Sequence, residues 1–173
     1  MDLTTAILSI VIIALLAGLV YSLFLNQHLK HQLQLAKQAP KPQNQTQLKL
    51  TAYERLALFA ERNKINNLIT KLFNSGYSAY DMQQAMVAHV KEEYEYNLSQ
   101  QLYVQPQLWE AVTKLKEQTI YIINQVTAAM PPNATALDLN KHLIELINAN
   151  PNVTMNNVVL DALQFETKNL INN

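Results

Sequence analysis

Apolar and polar positions divide this chain into two regimes. From Leu3 to Leu25 no side chain is charged, and Leu, Ile, Val and Ala fill every side of a helix drawn through the 23 residues. From Leu50 onward apolar residues recur every three to four positions between polar ones, the period of a helix with one buried face. No stretch alternates with the period of two that a half-buried strand needs.

The first regime predicts a membrane anchor. At ~1.5 Å per residue the segment spans about 34 Å, enough for a hydrocarbon core of about 30 Å. Backbone amides stay paired in lipid only within a helix or a closed barrel, so a single span is helical. Tyr21 and Phe24 fit an interfacial aromatic belt. A cleaved signal peptide competes, but Met1-Asp2-Leu3-Thr4-Thr5 lacks the basic residues of its n-region. Small residues at Ala14 and Gly18, four apart, suit close packing on another membrane helix.

Beyond the span, Leu25, Leu29, Leu33 and Ala36 continue as one narrow stripe over a breaker-free stem. Such a stripe suits headgroups, a second copy of itself or a partner helix. Ala39 to Gln47, with Pro40 and Pro42, reads as a polar linker. The expected division is therefore a span and stem over 1–38, a linker over 39–49 and a helical domain over 50–173.

In that domain the periodic runs carry their own punctuation. Leu50 and Thr51-Ala52-Tyr53-Glu54 read as a staple and capping box, opening a helix through Phe73 that Gly76 ends in a left-handed conformation. Ser78-Ala79-Tyr80-Asp81 opens a second helix, through Tyr94. Pro106 sits in the first turn of a third, which Pro131-Pro132 ends. Thr135-Ala136-Leu137-Asp138 opens a fourth, and Thr154 caps a fifth. Asn97 to Gln105 reads as a loop. The expected fold is all-α: an N-terminal transmembrane helix with stem and linker, then a small bundle of about five helices.

Charge sharpens this picture. Thirteen basic residues balance thirteen acidic ones, but unevenly. Lys30, Lys37, Lys41 and Lys49 follow the span with no acid before Glu54, while only Asp2 precedes it. The positive-inside rule then places the N-terminus outside and the domain in the cytoplasm, with Lys30, Lys37 and Lys41 against anionic headgroups. From Leu50 onward nine basic residues face twelve acidic ones. Nucleic-acid binders carry a basic footprint instead, so the eight tyrosines read as core or core-edge residues rather than base-stacking platforms.

Composition removes several chemistries. Without cysteine there is no disulfide, thiolate metal site or Cys nucleophile. With only Gly18 and Gly76, a Gly-rich phosphate loop is excluded. His28 and His31 share a helical face on the stem but lack further ligands nearby, and His89 and His142 stand alone. Arg55 and Arg62, the only arginines, share one face of the first domain helix and suit an acidic partner or lipid headgroup, against a solvated or intradomain salt-bridged face. Glu92, Glu93 and Glu95 form an acidic helix end, better suited to docking than to acid–base work because they point in different directions. No catalytic, metal-binding or cofactor residues are assigned.

The stretch Leu50-Thr51-Ala52-Tyr53-Glu54-Arg55-Leu56-Ala57-Leu58-Phe59-Ala60-Glu61-Arg62, with Tyr94-Glu95-Tyr96-Asn97 and Trp109, resembles an uncharacterised Bacteroidota family. Its members are short single-span membrane proteins with a Gln/Pro linker and a helical domain of unknown function. The resemblance implies a bacterial inner membrane and a cytoplasmic domain, and brings no site residues with it. The expected function is a membrane-tethered helical adaptor, or an accessory subunit of an inner-membrane complex, with the lipid bilayer and a protein as partners. The alternative is a small-molecule sensor or enzyme with a pocket between helices.

Overall fold

A computed structural model describes residues 21–27, 30, 42–150 and 154–172. The chain divides into two units, Met1–Gln45 and Thr46–Asn173. In the first, residues 21–27 and Lys30 are helical, and Tyr21, Leu23, Phe24 and Leu25 are exposed. Most of the expected span, with Ala14 and Gly18, lies outside the described residues, as do His28, His31, Lys37 and Lys41. Among the described residues no helix is long and apolar enough to cross a membrane.

The second unit is all-α. In chain order it contains α1 (Pro42–Arg62, which begins just before it), α2 (Ile65–Leu72), α3 (Ala79–Tyr96), a 3-10 turn (Leu98–Leu102), α4 (Pro106–Ala128), α5 (Ala136–Ala149) and α6 (Asn156–Asn172). The 3-10 turn lies within the stretch expected as loop.

The start of α1 corrects the expected linker. Pro42 to Lys49 is helical, because proline is tolerated in a first turn and the Gln/Asn/Thr run behind it holds no breaker. Thr51 is then mid-helix and caps nothing, while Ala52 and Tyr53 beside it are buried. The expected single helix to Phe73 is broken at Asn63-Lys64. The Asn63 amide, fully buried, donates to the Phe59 carbonyl at 2.8 Å, and Lys64 takes extended backbone as the N-cap of α2. Gly76 is corrected too: no described residue has a positive φ, and its N–H donates to Asn74 Oδ1 at 2.9 Å in a side-chain-closed turn. At the far end α6 begins at Asn156, one residue later than a cap at Thr154 would start it.

Two expected boxes form as read. Ser78 and Thr135 each accept from the backbone N–H three residues on, and Asp81 and Asp138 reach back to the cap backbones. Around them α2–α3 and α4–α5 make a matched pair of helix hairpins. Their loops are joined by an isolated antiparallel bridge, with Ala79 N–H to the Ala134 carbonyl at 2.9 Å and Ala136 N–H to the Tyr77 carbonyl at 3.0 Å. Counted from the caps, Ala79, Met82 and Met86 of α3 match Ala136, Leu139 and Leu143 of α5, and all six are buried.

Hydrogen bonds from the Ser78 and Thr135 side chains, and then from their backbones, hold the Asp81 and Asp138 carboxyls below their ordinary value of 3.8. A depressed folded pKa stabilises above 3.8 and loses that contribution as pH falls through the folded value. Replacing both aspartates by asparagine is therefore expected to lower stability at neutral pH and to flatten its decline below pH 4, about where these carboxyls protonate. Thermal melts between neutral and acid pH check this; parallel acid limbs in both proteins would contradict it.

The core has two clusters. One lies between the hairpins and includes Ile65, Met82, Met86, Ile123, Leu139 and Leu143. The other gathers Leu56 and Phe59 of α1, Leu108, Val112 and Leu115 of α4, and Val159 and Leu163 of α6. The α4 helix serves both, and buried Thr119 between its two sets donates back to the Leu115 carbonyl at 2.8 Å rather than demanding a partner elsewhere.

Candidate functional site

Of the charged residues singled out on α1 and α3, Arg62 and Glu93 meet each other. Arg55 lies 4.7 Å above the Tyr96 ring and donates to the Tyr96 carbonyl at 3.3 Å. Arg62 Nη1 sits 3.4 Å from both oxygens of Glu93. Glu93 Oε1 is also 3.9 Å from His89 Nε2, which lies 3.3 Å from Lys71 Nζ on α2. Glu92 and Glu95 are exposed and form no ion pair among the described residues. The two features that the sequence offered as separate docking patches are thus brought together through Arg62–Glu93 and Arg55–Tyr96, with Glu92 and Glu95 outside the contact.

His89 has most of its side chain covered, and desolvation, then the Lys71 ammonium, pushes its pKa below the ordinary 6.5 against the pull of Glu93. Its unfolded state therefore binds the proton more tightly. The neutral ring favours the fold above 6.5, and stability is lost as pH falls through that value toward the folded pKa. Imidazole NMR titration is expected to show His89 titrating below the ordinary histidine value of 6.5. His89→Gln is expected to reduce the stability loss between pH 7 and pH 5, around the ordinary histidine pKa. A His89 titration at or above its ordinary value would contradict the burial and the lysine contact.

A different flank of α1 forms a groove with α6. The Asn156 amide, buried at the start of α6, donates to the Ala60 carbonyl near the end of α1 at 2.7 Å. Further along α6, Glu166 lies close enough to Tyr53 to add to the effect of burial in raising the phenol's pKa. Ala60 with Asn156 and Tyr53 with Glu166 fix the two helices as antiparallel. Between them lies an open groove of about 630 Å³. Leu50, Tyr53, Ala57, Leu160 and Leu163 supply its apolar lining, and Glu54, Glu61 and Asp161 its acidic part, with Lys168 the basic lining residue. Glu61 is held by Lys64 at 2.7 Å, whereas Glu54 and Asp161 form no ion pair among the described residues.

Sequence reasoning did not find this groove. Leu50, Tyr53 and Ala57 do recur at helical spacing, and so do Leu160, Leu163 and Thr167. That spacing says each helix has such a face, but not that the two faces line one groove. Smaller apolar grooves flank α5, one floored by Ile69, Phe73, Leu137 and Ile144, the other by Val126, Met130 and Leu146. Among the described residues no group of three His, Asp or Glu side chains is placed to hold a metal ion.

Among known families, a family of unknown function (DUF7935) matches residues 1–170. No curated protein and no solved structure matches the chain.

Proposed function

The chain belongs to the DUF7935 family of unknown function, and from that premise we propose that it is a membrane-tethered helical adaptor. It acts as an accessory subunit of a protein complex at a bacterial inner membrane, in Bacteroidota as the sequence resemblance suggests. The observation that carries the proposal is the α1–α6 groove: an apolar floor with unpaired carboxylates at its side, in a helical domain that follows a 23-residue uncharged segment. Exposed Tyr21, Leu23, Phe24 and Leu25 at the end of that segment suit contact with lipid. The lysines after it favour a cytoplasmic domain.

Each part has a task in this scheme. The anchor holds the domain at the membrane face, which raises its effective concentration toward a partner without any new contact. Ala14 and Gly18 allow close approach of a neighbouring membrane helix. Lys30, Lys37 and Lys41 meet anionic headgroups. Arg55 is engaged with Tyr96 and Arg62 with Glu93, so docking is assigned to the groove, and Glu92 and Glu95 lie outside it.

Co-isolation from native membranes after chemical crosslinking tests the proposal. The expected result is one enriched membrane-associated protein that is lost with Gly18→Leu, together with a domain digested by protease only in inverted vesicles. Recovery of the chain alone, or digestion only from the outer face, would overturn it.

A further inference from the structure

The chemistry of the α1–α6 groove also restricts what fits in it. Its α1 wall runs from Leu50 to Glu61, about 16 Å or three helical turns at ~1.5 Å per residue. Its α6 wall runs antiparallel from Leu160 to Lys168. The apolar lining repeats along each wall at three- to four-residue spacing, the spacing at which a third helix presents its own anchors. Charge then decides between occupants of the same shape. Glu54 and Asp161 have no ion-pair partner among the described residues, Glu61 is already held by Lys64, and only Lys168 opposes them in the lining. An acidic helix or an anionic lipid headgroup meets like charge there, while lysine and arginine side chains meet complementary charge on either wall.

We propose that this groove receives a basic amphipathic helix of the partner protein, its apolar stripe laid along Leu50, Tyr53, Ala57 and Leu160 and its cationic flank set against Glu54 and Asp161. The proposal rests on the adaptor function and adds the chemistry of the partner to it. The apolar contacts supply most of the affinity. The two carboxylates select the sign of the ligand and speed its encounter, so binding weakens as salt screens them.

The test uses the full chain in phosphatidylcholine nanodiscs, with empty discs as background. The probe is a fluorescein-labelled Leu/Lys peptide with leucines at helical spacing, followed by anisotropy. The expected result is saturable binding that falls about tenfold or more in the Glu54→Lys, Asp161→Lys double variant, and that the matching Leu/Glu peptide does not show. Both substituted side chains are exposed, so the fold is expected to survive, which circular dichroism checks. The Glu92→Lys, Glu95→Lys double variant changes net charge equally at another flank and is expected to bind within about twofold of the parent. Binding of the Leu/Glu peptide, equal losses in both double variants, or no signal above empty discs would overturn the proposal. So would a peptide-resistant complex of two chains per disc, which would assign the groove to a second copy. A co-isolated partner crosslinked only outside the groove would overturn this proposal while leaving the adaptor function intact. Peptide binding without any co-isolated partner would support the groove's preference and count against the adaptor function alone.

Discussion

Replacing Phe59 by alanine is expected to destabilise the domain by about 3–5 kcal/mol, lowering its melting midpoint by roughly 10–20 °C. Phe59 has no exposed surface and meets the Tyr94 ring edge-on at 6.2 Å, with Leu56, Val112, Leu115 and Leu163 in the same cluster. An alanine leaves a cavity that α1 cannot collapse into. The Asn63 amide holds the Phe59 carbonyl, and the Asn156 amide ties the next residue, Ala60, to α6. The loss thus combines transfer free energy, an aromatic contact and an unfilled void. Because Tyr53 and Leu163 belong both to this cluster and to the groove lining, the variant is also expected to weaken peptide binding. Denaturant melts measure the first effect. A loss below about 1 kcal/mol, well under the range for such deletions, would contradict the packing of α1.

Leu139→Ala is expected to cost about 2–5 kcal/mol from the other cluster, while leaving peptide binding at the groove nearly unchanged in conditions where the domain stays folded. Leu139 is fully buried between the hairpins, at the position in α5 that Met82 occupies in α3. Its destabilisation is expected to reach the distant cluster through α4, which runs without interruption from Leu108 and Val112 to Ile122 and Ile123. Trp109, the only tryptophan, reports on this coupling because it stacks on Tyr94 with ring centroids 5.4 Å apart. Tryptophan fluorescence and far-ultraviolet circular dichroism are expected to give coincident transitions, both shifted by the substitution. An unshifted fluorescence transition beside a shifted helical one would show the clusters unfolding separately.

What the sequence made legible follows from where the controlling interaction lies. Ser78-Asp81, Thr135-Asp138 and Pro106 act within one helical turn, and the helices they open are found where the sequence placed them. The break at Asn63-Lys64 shows in the letters only as one wide gap, from Ala60 to Ile65, between apolar positions that resume their spacing beyond it. The cause is an asparagine side chain competing for one backbone carbonyl. Pro42 misled for a related reason: proline stops a helix from within but is welcome at its start, and the sequence does not say which end is meant. The match of Ser78-Ala79-Tyr80-Asp81-Met82 with Thr135-Ala136-Leu137-Asp138-Leu139 was present in the letters. Its meaning lay in a backbone bridge between loops far apart in the chain.

The site was legible in the same uneven way. Spacing alone put Arg55 and Arg62 on one face of α1. Their partners Tyr96 and Glu93 are on another helix and became evident only with the packing of α1 against α3. The groove depends on how α1 sits beside α6, a tertiary property to which no local pattern points. Glu54 read as a cap residue and Asp161 belonged to no motif, yet both line the same groove.

The central claim is that the domain holds a protein partner in the α1–α6 groove at the membrane. The most direct measurement is photocrosslinking in intact cells, with a benzoylphenylalanine placed in turn at Gln164 in the groove and at exposed Tyr121 on α4. The predicted result is one discrete crosslinked protein from Gln164, none from Tyr121, and loss of the Gln164 product when Glu54 and Asp161 are both reversed to lysine. Equal crosslinking from both positions, or no product from Gln164 in membranes that contain the intact chain, would contradict it.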